Sequence, residues 1–221
     1  VKGRSSIIVA PHPRAKLTNK KICDLMRAAL KKMGAPEDLV IGIETPSLET
    51  TNELMRQCDL VLATGGGAMV QAAYSSGSPA LGVGVGNAVI TVDDTADLDA
   101  AAEKIRLSKT LDLAASCSSD NSVVLLDGIY EPMLEKLKAQ GGYLCNEEEK
   151  AALRNTLWDE ELHLNTAIVA QPPEKIAQMA GLSIPEETKF FIVPEEGWGP
   201  EHPFSGEKLS VIMALYRARD I

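Results

Sequence analysis

An alternation of short apolar runs with helical patterns, punctuated by glycine, narrows the possible folds of this chain more than any other feature. Ser5 to Ala10 reads as a strand, and Thr18 as the N-cap of a helix that reaches about Met33 and stops at Gly34 and Pro36. Leu39 to Ile43 reads as the next strand, Ser47 to Gln57 as a helix, and Asp59 to Ala63 as a strand. A glycine turn then opens a short helix through Tyr74. Strands joined by crossover helices run parallel, so the pattern predicts a βαβαβ unit with a parallel sheet.

Ala80 to Val83 and Ala88 to Val92 follow as short strands. Asp97 to Lys109 reads as a helix with Leu98, Ala101, Ala102 and Ile105 on one face. The expected domain boundary lies near Leu111, dividing residues 1–111 from residues 112–221. Beyond it come a cysteine-bearing loop, a strand from Ser122 to Leu126, helices from Gly128 to Ala139 and from Asn146 to Leu157, and a break at Pro172-Pro173. A short helix to Gly181 and a strand from Lys189 to Val193 complete a second α/β layer. No internal repeat or low-complexity tract is present.

Hydrophobic residues make up 45% of the 221 positions, enough for one large or two modest domains. The formal charge of −9, without a Lys/Arg run, argues against nucleic acid or an anionic membrane as a partner. No segment approaches a membrane-spanning apolar length, and Val1-Lys-Gly-Arg4 lacks the core of a signal peptide, so the expected location is the cytoplasm. Cys23, Cys58, Cys117 and Cys145 show neither CxxC pairing nor metal-site spacing, which predicts free thiols and no metal. Cys23 falls on the stripe Ile22, Leu25, Met26, Ala29, Leu30 and Met33 and reads as a core residue.

Cys117 differs from the other three. It sits among small polar residues in Ala114-Ala-Ser-Cys-Ser-Ser-Asp-Asn-Ser122, between a helix and the apolar run Val123-Val-Leu-Leu126, a setting suited to a nucleophile. Upstream lie the turns Ala63-Thr-Gly-Gly-Gly67 and Leu81-Gly-Val-Gly-Val-Gly-Asn87, where glycine lets backbone N–H groups approach a phosphate or a reacting oxygen. Downstream lies Glu201-His-Pro-Phe-Ser-Gly-Glu-Lys-Leu-Ser210, which opens into Val211-Ile-Met-Ala-Leu215. A strict GxGxxG fingerprint is absent, since Val70 occupies the third glycine position after Gly65 and Gly67.

These ordered segments resemble the aldehyde dehydrogenase superfamily, specifically its CoA-acylating branch. Ile7-Ile-Val-Ala-Pro-His-Pro-Arg-Ala-Lys16, Thr51-Asn-Glu-Leu-Met-Arg56 and Ala72-Ala-Tyr-Ser-Ser-Gly77 add to the match. The resemblance implies the second half of a Rossmann-type cofactor domain followed by part of an α/β catalytic domain. It also implies that the chain is a fragment. The part before it would hold the rest of the cofactor domain and an oxyanion-donating asparagine, and the part after it would hold the rest of the catalytic domain and an oligomerisation strand.

By the same resemblance, Cys117 is the catalytic nucleophile, and Pro11, His12, Arg14, Thr64, Gly65, Gly66, Val83, Gly84, Glu207 and Leu209 bind NAD or NADP. His12 would meet the adenosine ribose, Glu207 the nicotinamide ribose hydroxyls, and Leu209 the ring. Ala15 stands where an acidic residue often binds the ribose 2′-hydroxyl, and Arg14 could pair with a 2′-phosphate. The resemblance further implies a homo-oligomer whose partners are a small aldehyde and coenzyme A.

Gly82 occupies the position where hydrolytic members carry a water-activating glutamate. A thiol of pKa about 8.5 is already a few per cent thiolate near neutrality and needs no such base, so its loss favours transfer of the acyl group to CoA. Alternatively, Gly82 is only a backbone requirement. The implied cycle runs from a Cys117 thiohemiacetal through hydride loss to a thioester that CoA cleaves, with backbone N–H groups around Cys117 and Ser118 as part of an oxyanion hole. Two other functions compete: a hydrolytic dehydrogenase with Asp112 or Asp120 as a relocated base, and a non-catalytic nucleotide-binding or assembly fragment. The polar loop 116–122 favours a sulfonated or otherwise polar aldehyde over a purely aliphatic one.

Overall fold

The computed structural model describes residue 3 and residues 5–220, and it divides into two compact units between Gly84 and Val85. In the first unit, β1 (Ile7–Val9) pairs in parallel with β2 (Val40–Gly42), and β3 (Val61–Thr64) with β4 (Ala80–Val83). Helix α1 (Lys16–Lys32) crosses from β1 to β2, α2 (Leu48–Gln57) leads from β2 to β3, and α3 (Gly67–Tyr74) crosses from β3 to β4. The expected βαβαβ order is present. Its ladder is not continuous: each pair is closed by its own crossover helix, and two two-stranded sheets replace the single sheet expected.

Helix α1 begins at Lys16, two residues before the expected cap. Pro13 presets the backbone and the His12 ring accepts the Arg14 N–H at 3.2 Å, winding Pro13–Ala15 into a 3-10 turn that runs into the helix. Thr18 therefore falls inside the first turn. Ser47 does cap α2, its Oγ accepting the Thr50 N–H at 3.0 Å. The stripe expected to bury α1 is mostly exposed, with Ile22, Leu25 and Met26 all exposed and Cys23 buried. The helix rests on β2 through Asn19 and Cys23, close enough that a Cβ on Gly42 would stand 3.0 Å from a side-chain atom of each. Arg27 fastens this packing by donating to the Glu37 and Val40 carbonyls.

In the second unit, β5 (Ala88–Val92), β6 (Asp120–Leu126), β7 (Gly142–Leu144), β8 (Phe190–Pro194) and β9 (Ile212–Ala218) form one sheet of order β5-β6-β9-β8-β7. Every neighbouring pair is parallel. The helices are α4 (Leu98–Thr110), α5 (Tyr130–Ala139), α6 (Glu147–Leu157) and α7 (Pro173–Ala180). The boundary expected near Leu111 is thus displaced to Gly84. The reason is that β5 pairs with β6, and α4 buries Ala102 and Ile105 in the same core as Val123 and Leu125.

That core is dominated by β8 and β9, where Phe190 to Val193 and Ile212 to Leu215 are buried. Such uninterrupted apolar runs are what a parallel strand covered on both faces requires. Pro172-Pro173 does not break the chain but starts α7, with Pro172 as N-cap and Pro173 at the first helical position, where a missing N–H costs nothing. Gly181 closes α7 in the left-handed conformation at φ 69°. At α6, Asn146 and Glu149 form a reciprocal capping box.

Candidate active site

The sheet order of the second unit decides where its chemistry gathers. Strands β5, β6 and β9 are neighbours and parallel, so the segments entering them converge at one rim. Those segments are the Val85–Asn87 turn, the cysteine loop, and the stretch from Pro203 to Ser210. This is the amino-end rim of the strands, opposite the carboxyl-end crevice common in open α/β sheets.

The cysteine loop is reached through strained backbone. Beyond α4 the chain passes through Asp112 (φ 50°), Leu113 (φ 52°) and Ala114 (φ 57°), three successive non-glycine residues in the left-handed region. Each costs roughly 1–2 kcal/mol, and such strain persists only where the surroundings enforce it. The turn closes through the Ala115 N–H donating to the Asp112 carbonyl at 3.1 Å, followed by the Ser119 N–H donating to the Ser116 carbonyl at 3.0 Å. Cys117 stands exposed at the apex with a free thiol. The hydroxyls of Ser116 and Ser118 meet at 2.8 Å on either side of it in sequence.

Of the expected oxyanion donors, the Ser118 N–H leans toward Ser116 Oγ at 3.4 Å. The Cys117 N–H has no acceptor among the described residues.

Gly86 and Glu207 complete the constellation. A Cβ on Gly86 would stand 2.9 Å from the Cys117 carbonyl oxygen, 3.4 Å from the Cys117 Cβ and 3.4 Å from Glu207 Oε1. Only a residue without a side chain allows the turn to lie against the cysteine in this way. The Gly86 N–H donates to Glu207 Oε1 at 3.3 Å, so Glu207 is fixed through one oxygen. Leu209 is half-buried, at φ 46°, and its carbonyl accepts the Ala170 N–H at 3.1 Å. The structure therefore brings Cys117 and Glu207 to one place. Gly86 is not a site residue that the sequence predicts, although it lies in the glycine-rich turn Leu81–Asn87.

Two buried lysines lie on the elements that frame this rim. Burial pushes the Lys109 ammonium down to about 7 against the opposing pull of Asp120. Burial also pushes Lys208 well below its usual range, with Lys109 adding repulsion and Glu195 opposing. Lys208 Nζ donates to the Phe204 and Gly206 carbonyls. Burial raises the Asp120 carboxyl, with Ser108 and Lys109 opposing. Sequence gives no sign that either lysine is buried, because lysines are overwhelmingly exposed, even though Lys208 stands between Glu207 and Leu209.

The other expected binding residues belong to the first unit. Pro11, His12 and Arg14 follow β1, with His12 and Arg14 exposed. Thr64 ends β3 and Gly65-Gly66 follow it, and the Gly65 N–H donates to the Val83 carbonyl at 3.1 Å, setting this turn beside Val83 and Gly84. These two groups belong to separate strand pairs. Gly66 caps α3, and nothing lies within 4 Å of where a Cβ would stand on Gly66 or Gly67. That open, glycine-walled helix start fits a phosphate group.

Gly82 is a packing requirement, because a Cβ there would stand 2.7 Å from Val70 Cγ1 and 3.0 Å from Tyr74 Cε2. The Gly82 N–H also donates to Tyr74 Oη at 3.0 Å. Position 82 thus has no carboxylate and no room for one.

A separate hollow of about 420 Å³ is lined by α6 and the segment after β8, including Lys150, Arg154, Glu195 and His202. Glu195 is satisfied there by Lys150, His202 and the Glu196 N–H. Cys117 does not line it. Among the described residues no three His, Cys, Asp or Glu side chains group as metal ligands, and no helix is long and apolar enough to cross a membrane.

Residues 4–146 match the model of the aldehyde dehydrogenase family. The chain belongs to that family. Across its whole length it is 45% identical to the bifunctional aldehyde-alcohol dehydrogenase AdhE of Escherichia coli K12, covering 25% of that protein. It is 44% identical to a sulfoacetaldehyde dehydrogenase of Acholeplasma sp, again across the whole chain and covering 46% of the relative. Among solved structures, an acetylating aldehyde dehydrogenase from Geobacillus thermoglucosidasius superposes with a TM-score of 0.95 at 40% identity, over 99% of this chain and 48% of that one. This aldehyde dehydrogenase chain therefore spans between a quarter and about half of the length of the relatives it matches.

Proposed function

We propose that the protein carrying this chain is a CoA-acylating aldehyde dehydrogenase that oxidises a small aldehyde to its acyl-CoA, reversibly, with NAD or NADP. The observation that carries the reading is the exposed Cys117 thiol at the apex of a strained turn, with its backbone against Gly86 and with Glu207 beside that glycine. In the forward direction the Cys117 thiolate attacks the aldehyde carbonyl, and the Cys117 N–H is free to donate to the oxygen that becomes negative. The bound coenzyme supplies the acceptor for the hydride lost from the resulting thiohemiacetal. Loss of that hydride and of the hydroxyl proton leaves a Cys117 thioester. A CoA thiolate then attacks the acyl carbon, and the Cys117 thiolate departs.

The chain's own residues divide these tasks. Glu207 keeps one carboxylate oxygen on Gly86, leaving the other to receive ribose hydroxyls. The open start of α3 at Gly66 and Gly67 receives the coenzyme's phosphates. Residues 1–84 thus serve the coenzyme's phosphate and adenosine end, and residues 85–221 carry the nucleophile together with Glu207. The absence of a base at position 82 leaves CoA as the better acceptor. With an exposed Arg14 and no acid at Ala15, a 2′-phosphate is accommodated, so Arg14→Ala should raise the KM for NADP more than that for NAD.

The serine pair around Cys117 suits a polar aldehyde such as sulfoacetaldehyde. A preference of about twofold or less in kcat/KM over acetaldehyde, well under 1 kcal/mol, would overturn that choice. The same reading makes the protein a cytoplasmic homo-oligomer, which cell fractionation and light scattering of the full-length protein test.

The deciding experiment is intact-protein mass spectrometry of the full-length protein, quenched after mixing with aldehyde and NAD(P)+ in the absence of CoA. An acyl adduct should appear on Cys117 and be absent from Cys117→Ser. An adduct on another side chain, or none, defeats the reading.

A further inference from the structure

Along β5 and β6, Ala88 faces Asp120 while Val89 faces Ser122, so one residue of β6, Asn121, has no partner on β5. The β6–β9 ladder begins only at Ser122, opposite Ala214. Asn121 is therefore a bulge residue at the mouth of the sheet. A bulge turns one side chain out of the strand's alternation.

The Asn121 side chain is buried, and its Nδ2 donates to Gly206 O at 2.6 Å and Asn87 Oδ1 at 2.7 Å, with Ser205 O at 3.4 Å. Asn87 Nδ2 in turn donates to Ser205 O at 2.9 Å. The amide orientations follow from chemistry, because carbonyls only accept. Nδ2 of both asparagines must face the 205–206 turn, which leaves Asn87 Oδ1 to Asn121. Gly206 O also receives Lys208 Nζ at 3.0 Å from a fully buried position. Glu207 follows immediately and accepts the Gly86 N–H, closing a circuit through Gly86, Asn87, Asn121, Gly206 and Glu207.

We propose that Asn121 is a positioning residue. Acting through Asn87 and the Gly206 carbonyl, with Lys208 bracing the same carbonyl, it holds Glu207 at the cysteine turn in the pose that receives the coenzyme's ribose. This rests on the role assigned to Glu207 above. The hydrogen bonds of the Asn121 side chain go to Asn87, Ser205 and Gly206, so its hold on Glu207 is indirect.

The test uses the full-length protein and two variants. Asn121→Asp keeps the shape but turns an oxygen toward carbonyls, and Asn87→Ala removes the relay from an exposed position, where folding is least at risk. Both should raise the coenzyme KM about tenfold or more, the usual consequence of releasing a charged hydrogen-bonding group, while kcat falls by less. Alkylation of Cys117 by iodoacetamide without coenzyme should stay within about threefold of the parent rate, since the nucleophile's own turn is intact. A merely structural role would lower kcat and alkylation together and leave KM alone, and that result overturns the proposal.

Amide hydrogen exchange in the ligand-free protein separates this inference from the functional reading. Asn87→Ala should speed exchange in the segments 84–88 and 203–208 whether or not the protein forms acyl-CoA. Unchanged protection there refutes the clamp. Failure of the unsubstituted protein to form acyl-CoA refutes the function instead.

Discussion

A Cβ placed on Gly86 would stand 2.9 Å from the carbonyl oxygen of Cys117, so the two turns meet backbone to backbone. The neighbour in the way is main chain and cannot rotate aside. Gly86→Ala should therefore push the cysteine turn away from Glu207, lowering kcat/KM by about tenfold or more, since misplacement by an ångström costs up to a hundredfold. Steady-state kinetics check this. Fold loss should stay small, because the site lies at a rim and not in the β8–β9 core.

At Gly82 the obstacle is Val70, whose branched side chain is stiff, and the Tyr74 ring. Gly82→Ala should destabilise by roughly 1–3 kcal/mol, as overpacking does. Gly82→Glu should be no less destabilising and should confer no CoA-independent aldehyde oxidation. Urea unfolding and an assay of NAD(P)H formation without CoA test both halves.

Lys109 links stability to pH. Its folded-state value of about 7 lies below the ordinary 10.5, so between those values the unfolded chain holds a proton that the folded one lacks. Stability from this group is therefore lowest below pH 7 and rises with pH toward 10.5, by up to about 1.4 kcal/mol per unit. Lys109→Met removes the effect. The stability deficit of the parent protein relative to this variant should shrink as pH rises from 7 to 10, read by urea unfolding of both at matched pH.

Asp112 is exposed yet left-handed at φ 50°. Asp112→Gly relieves the strain without losing buried contacts and should stabilise by up to about 1 kcal/mol, reduced by the greater freedom of glycine in the unfolded chain. Thermal unfolding measures the gain. Unchanged CoA-independent aldehyde oxidation in the same variant would dismiss Asp112 as a relocated water-activating base.

Much of this architecture is legible in the sequence because local rules and tertiary packing agree. Strands β4 and β5 lie where their apolar runs place them, and Ser47 and Asn146 cap their helices. Misreadings arise where a nonlocal contact wins. Pro13 and the His12 ring start α1 before Thr18, and β5 joins the second unit because its partner is β6, which lies beyond the cysteine loop.

In the candidate site, Cys117 and Glu207 are expected from family resemblance, whereas Asn121 is not. Its role depends on a bulge, and bulges follow from register between strands, which a single chain reading does not contain. Lys109 and Lys208 are hidden for the complementary reason. A lysine is read as exposed by default, and even the apolar run after Lys208 does not announce that its own side chain is covered.

The parallel order of β5, β6 and β9 also supplies a handle. The turn Asp93–Ala96 leaves the far end of β5, and Asp94 on it is exposed. A strand of five residues puts that turn roughly 16 Å from the rim that bears Cys117. A dye or surface tether attached at position 94 would hold the second unit's sheet by the rim opposite the one that bears Cys117.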